Sequence, residues 1–255
     1  MTKLKISDAL EKALHFAFQQ KTFLPYFIFQ LVVFAFLGIP MLNMVSQIIA
    51  KNPVAAASAV TSNFGIMIIG IVIAVVLGVI IQGTYIHNYK NKKSLKVSFD
   101  FAKKRFWSLL AVLIVTGILT TIISLIPWVG WILSIIVTLG LVFGLQAVIV
   151  DKKDCVEALK TSWRIFRKEW LKVLLSIIAM AIVAIIIQGL FVIPLFFVMV
   201  SAAISFVDIG SLSALAQHSG LLLLTGLVFL IGTAITKVFQ IAFLTEIYMK
   251  LKGRR

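Results

Sequence analysis

Residues 106–150 read FWSLLAVLIVTGILTTIISLIPWVGWILSIIVTLGLVFGLQAVIV, and no charged side chain interrupts them. About 20 apolar residues cross the hydrocarbon core of a bilayer as one helix, because the helix satisfies its own backbone polar groups. The stretch is long enough for two crossings and a turn. Ile126-Pro127-Trp128-Val129-Gly130-Trp131 supplies that turn. Proline ends the first helix, glycine relieves the reversal, and two tryptophans suit the headgroup level. The reading predicts spans over 106–126 and 130–150.

The same pattern extends outward. Further apolar runs predict spans over 23–49, 64–89, 171–199 and 221–249, with Pro40 and Pro194 bending or ending the outer parts of the first and fifth. Only 13% of the 255 residues are charged and 61% are hydrophobic. A soluble domain carries roughly 25% charged residues, so an ordinary wetted surface is excluded. The runs are too long and lack the alternation of an outer-membrane barrel. Met1 to Gln20 holds Asp8, Glu11 and Lys12 without an apolar core, which argues against a cleaved signal peptide. The single cysteine, Cys155, excludes an intrachain disulfide and a multi-cysteine metal site.

Lys and Arg fix the expected orientation. Four precede the first span, seven lie between spans two and three, seven between spans four and five through Lys172, and four follow the last span. The opposite side has Lys51 alone, and Lys237 falls within span six. That bias places both termini in the cytoplasm. The net charge of +15 is therefore spread over membrane approaches, with Trp107, Trp163 and Trp170 nearby. Such clusters hold anionic headgroups. Lys103, Lys104, Arg105, Arg167 and Lys168 are the candidate lipid contacts, a protein partner at the cytoplasmic face is the other expectation, and no nucleic-acid-binding module is present.

The chain reads as one integral membrane domain, 1–255, with internal repeats over 4–90, 94–152 and 155–250. The expected fold is all-α, six transmembrane helices in three hairpins, each preceded by a cytoplasmic amphipathic helix. Leu95, Phe99 and Ala102 have helical spacing, as do Leu159, Trp163 and Phe166. These helices are expected to lie in the headgroup plane with the apolar face down. Span pairs end alike, with Gln82, Gln146 and Gln240 in their cytoplasmic halves. The rival arrangement is six helices without internal symmetry.

Ala158-Leu159-Lys160-Thr161-Ser162-Trp163-Arg164-Ile165-Phe166-Arg167-Lys168-Glu169-Trp170, the preceding Val148-Ile149-Val150-Asp151 and the Pro127 turn resemble a pattern in prokaryotic six-span membrane proteins. That group is similar to the membrane domain attached to some glycerophosphodiester phosphodiesterases. The likeness covers roughly 75–250 and is strongest from 126 to 175. It implies a multi-pass protein of a prokaryotic cytoplasmic membrane. It brings no catalytic residue, since the phosphodiesterase barrel and its metal-binding acids are absent from this sequence.

Inside the membrane Lys237 is the sharpest feature. An ammonium in mid-span should face the bundle, water or an anionic partner. Gln188 is its expected neighbour if spans five and six form a hairpin, with Gln30 and Thr233 completing a candidate polar site. Asp208 is placed nearer the outer surface. His15, His87 and His218 fall far apart by topology, so no three-histidine zinc site is expected, and no cofactor is implied. The leading functional reading is a noncatalytic scaffold or accessory component with lipid-contacting helices. A small permease or lipid transporter built around Lys237 is the alternative, and a lipid-processing enzyme the third.

Overall fold

The computed structural model describes residues 5–41, 53–209 and 219–253, and every regular element among them is helical. Lys51 and His218 lie outside the described residues, as does the side chain of Asp208. Among the described residues six helices are long and apolar enough to cross a membrane: Lys21–Met41, Val60–Asn91, Phe106–Ser124, Gly130–Val150, Cys155–Ser201 and Gly220–Lys252. The chain is thus an all-α, multi-span membrane protein.

Helix α1 (Ile6–Ala17) starts with Asp8 in its first turn, where a carboxylate meets the positive end of the helix dipole. Helix α2 (Gln20–Val33) passes into a π-helical turn at Phe34–Gly38. Pro40 follows at once. Proline has no N–H and its ring crowds the carbonyl four residues back, a conflict that the widened turn just before it accommodates. The backbone stays helical through Met41, the last described residue of this stretch. Helix α3 (Pro53–Asn91) opens on a proline, which fits a first helical position. The link expected before residue 64 is therefore helical from Pro53 onward.

Helix α4 (Leu95–Lys104) follows Ser94, whose hydroxyl accepts from the Val97 N–H at 3.5 Å. Helices α5 (Phe106–Ser124) and α6 (Gly130–Leu141) reverse at the predicted turn. A Cβ on Gly130 would sit 2.6 Å from the Ile123 carbonyl oxygen, so only glycine fits there. Trp128 takes φ 66 and is 94% exposed, leaving its ring free for the interface.

Span four is broken. A turn at Val142–Phe143 separates α6 from α7 (Gly144–Val150). Helix α8 (Cys155–Ile209) contains Pro194, yet its one non-helical residue is Glu169, at φ −134 and ψ 35. Pro194 therefore does not end the helix, and the break in backbone angles lies at Glu169, where the stretch after Cys155 gives way to the span. Glu169 pairs with Lys172 at 2.6 Å, placing an acid at the start of the second segment. Helix α9 (Ser219–Lys252) completes the chain.

Packing divides the chain into two compact units. Unit 1 comprises Met1–Phe18, Gly78–Val183 and Val238–Arg255, and unit 2 comprises Gln19–Leu77 and Ala184–Lys237. In unit 1, Tyr85, Leu109, Phe143, Phe239 and Tyr248 are fully enclosed, with Phe239 stacked on Phe243 at 5.9 Å. In unit 2, Phe191 fills the space that a side chain at Gly232 would need. Unit 2 exposes Ile185, Leu190, Phe197 and Leu223, a surface that hydrocarbon solvates at no cost.

The amphipathic stretches are helical, and each buries small residues four apart. Ala9 and Ala13, Ser98 and Ala102, and Ala158 and Ser162 are all fully enclosed. The large apolar residues were expected to face lipid. Instead Trp163 packs across Gly140, and Leu159 would lie 3.3 Å from a Cβ at Gly144, so part of that face is taken up by protein.

Candidate functional site

The intramembrane candidates fall into separate pairs within unit 2. The Thr233 hydroxyl donates to the Gln30 side-chain oxygen at 2.9 Å. The Thr236 hydroxyl donates to the Gln188 side-chain oxygen at 3.4 Å. Both threonines also reach a carbonyl of their own helix, Leu230 at 2.8 Å and Gly232 at 2.8 Å. These contacts tie helices together without charge. Lys237 is exposed and has no polar partner among the described residues, so Gln188 faces Thr236 in place of the expected ammonium. The Gln188 amide nitrogen is buried without a partner.

Glu246 lies nine residues beyond Lys237 on the same helix, too far along it to pair with that lysine. In unit 1 it is 8% exposed and gathers three groups. Lys12 Nζ lies 3.3 Å from it, Tyr89 Oη 3.3 Å and Lys250 Nζ 3.7 Å. The Tyr89 ring meets Phe16 edge-on at 5.1 Å. One buried carboxylate thereby links α1, α3 and α9. A sequence signal existed, since an acid in an otherwise apolar helix end needs a partner. Which lysine answers it depends on a contact across most of the chain.

Asp151 forms a second junction. It accepts from Tyr248 Oη at 2.8 Å and pairs with Lys252 at 2.5 Å. Beside it Lys90 Nζ donates to the Val150 carbonyl at 2.7 Å. Lys92 and Lys152 follow α3 and α7 with φ 50 and φ 57, the left-handed conformation in which helices commonly stop. Glycine usually takes that place, and two lysines do so here.

These chain reversals border a cavity of about 570 Å³ between the ends of α3 and α7 and the face of α4. Lys90, Lys93, Lys104 and Lys152 line it, with His87 and Asp100. His87 is held on two sides: its Nδ1 lies 3.1 Å from Ser98 Oγ, and its ring stacks on Phe101 at 4.3 Å. Of the predicted headgroup contacts, Lys104 belongs to this cavity, Arg105 turns to Asp154 at 3.8 Å, and Lys103 is exposed.

Arg167 and Lys168 line a second cleft of about 500 Å³ with Lys160, Trp163 and Arg164. All five lie on one face of α8, just before its break at Glu169. Neither cavity includes Lys237, Gln188, Gln30 or Thr233. Among the described residues no group of three or more His, Cys, Asp or Glu is placed to hold a metal ion.

Residues 126–251 match the family described as Domain of unknown function (DUF7847). The matched segment starts at the α5–α6 turn and takes in the broken fourth span, α8 and α9. No curated protein and no solved structure matches the chain.

Proposed function

We propose that the protein is a noncatalytic membrane component that holds anionic lipid headgroups against the basic face of unit 1. The observation that carries this reading is the face of α8 bearing Lys160, Arg164, Arg167 and Lys168 around Trp163. Four cations on one helical face, ending at a helix break followed by the 55% exposed Trp170, have the composition of an interfacial contact. Near an anionic surface each Lys or Arg contributes about 1 kcal/mol. The small residues enclosed on the same segment fix its roll, so the cations are held outward.

The same reading extends to α1 and α4 as interfacial helices, each leading into a pair of spans, in a chain of three repeats with both termini cytoplasmic. The common burial of small residues four apart supports it. The resemblance to the membrane domain attached to some glycerophosphodiester phosphodiesterases rests on sequence pattern and carries no activity with it. The alternative is a permease or lipid transporter around Lys237, which is exposed and lines neither of the two cavities described above.

The test is lipid retention. The protein is extracted from membranes containing both phosphatidylglycerol and phosphatidylethanolamine, and bound lipid is counted by native mass spectrometry. A variant carrying Arg164→Glu, Arg167→Glu and Lys168→Glu should lose the anionic lipid and keep the zwitterionic one. Equal retention of phosphatidylglycerol by both proteins would overturn the proposal.

A further inference from the structure

We infer that the cavity between α3, α4 and α7 is a binding site for a multiply charged phosphoryl group. This goes beyond the α8 contact, because the cavity is a separate, three-sided space that can fill from water as well as from lipid. Its volume of about 570 Å³ lies in the range of small-molecule sites.

Lysines reach the cavity from three directions. Lys90 comes from the end of α3, Lys93 from the connection that follows, Lys104 from the last turn of α4, and Lys152 from the reversal after α7. The left-handed Lys152 itself makes that reversal, and Lys93 directly follows the left-handed Lys92. The Asn88 side chain holds the Lys93 carbonyl at 2.5 Å. Lys90 spends one of its three donors on Val150 and keeps two.

The acids nearby offset this cluster only in part, Asp151 acting on Lys90 and Asp100 lining the cavity. Asp151 is committed to Lys252 and Tyr248, Asp154 faces Arg105, and Asp100 is the single carboxylate lining the cavity. Four ammonium groups around one space repel one another until an anion enters. A rounded group of charge suits them better than a planar carboxylate does. Carboxylates are matched by the flat fork of arginine, whereas lysine acts as a point charge that can approach a tetrahedral phosphate from any side. His87 adds a directional element. With Nδ1 turned to Ser98 and the ring fixed on Phe101, Nε2 is the nitrogen left for a ligand.

A phosphomonoester lipid headgroup and a soluble phosphorylated molecule share this chemistry, and two probes separate them. The full chain is placed in phosphatidylcholine nanodiscs. Inorganic pyrophosphate is titrated at constant ionic strength by calorimetry, and phosphatidic acid retention is measured in discs that contain it. The key variant carries Lys93→Glu and Lys104→Glu, two exposed side chains without a polar partner among the described residues. A control carries Lys21→Glu and Lys96→Glu, which change the net charge equally and lie off the cavity. The key variant should bind at least about tenfold more weakly, the loss expected from removing charge-assisted hydrogen bonds, and the control should bind as the parent does. Pyrophosphate binding lost in the key variant identifies a soluble ligand, and phosphatidic acid binding lost without pyrophosphate binding identifies a headgroup. Equal weakening in both variants, or no binding of either probe by the parent, overturns the inference. Failure here leaves the α8 result untouched, since the two experiments alter different residues.

Discussion

Ser162→Ala is the most informative single substitution in the fourth span. The hydroxyl donates to the Gly140 carbonyl at 2.7 Å and accepts from the Phe143 N–H at 3.1 Å, and both Ser162 and Phe143 are fully enclosed. It therefore satisfies two backbone groups that the break between α6 and α7 sets free. Orphaning a buried polar group costs about 1–3 kcal/mol, which would make the pair worth up to roughly 6 kcal/mol. Measured side-chain hydrogen bonds between membrane helices average only about 0.6 kcal/mol, because unfolded helices in a bilayer also find partners. The Ser162 bonds fall between these limits. They serve backbone groups that no water reaches, yet the span can recover one bond by tightening its turn. We expect a loss of about 2 kcal/mol, a roughly 30-fold shift in equilibrium, since each 1.4 kcal/mol is tenfold. Two readouts check it: thermal melting in detergent, and hydrogen exchange at the Phe143 amide, which should quicken by about the same 30-fold. A loss below about 0.5 kcal/mol with unchanged exchange would refute the reasoning, since the break would then be set by Gly140 and Gly144 without help from α8.

Gly140→Ala drives a methyl group into the Trp163 ring and should cost about 1–3 kcal/mol, with Trp163→Leu restoring part of the loss in a melting experiment. Glu246→Gln keeps the shape but weakens the contacts to Lys12 and Tyr89. The Lys12 side chain is 62% exposed and the tyrosine contact is long at 3.3 Å, so the expected loss is only about 1–1.5 kcal/mol. Adding Tyr89→Phe to Glu246→Gln should cost less than it does in the parent, and strict additivity in the double-mutant cycle would count against the contact. Lys92→Gly relieves a left-handed lysine at φ 50 and should raise the melting midpoint by an amount equivalent to about 1 kcal/mol. For orientation, a cysteine replacing Ser58 should react with an impermeant reagent on intact cells while Cys155 stays unlabelled, and the reverse pattern would invert the topology.

The spans were legible because a bilayer imposes a simple rule: a long uncharged run must be a helix. Charge-free residues 106–150 and the Pro127–Gly130 turn appear where that rule puts them. Local irregularities were less legible. Pro40 follows a π turn, while Pro194 sits in a stretch with helical backbone angles and Glu169 takes the break. A proline marks a missing donor, and neighbouring backbone decides whether the helix bends to accommodate it. The headgroup candidates were only partly sorted. Lys104, Arg167 and Lys168 line clefts, and Arg105 faces an acid, yet all of them look alike in sequence.

By itself the sequence determined how many helices can cross a membrane, where their apolar centres lie and which flanks are basic. Those properties follow from the transfer of single residues between water and hydrocarbon, which needs no knowledge of neighbours. The helices of the second and fifth spans begin well before the apolar runs, at Pro53 and Cys155. Only the tertiary structure decided which polar groups meet. Glu246 finds Lys12 across 234 positions, Asp151 finds Lys252 across 101, and Lys237 stays exposed while Gln188 turns to Thr236. It also decided which face of each amphipathic stretch touches protein. Periodicity showed the bulky apolar residues, but close helix contact selects the smallest side chains, so Ala9, Ser98 and Ala158 are enclosed while Trp107 and Trp170 remain outside.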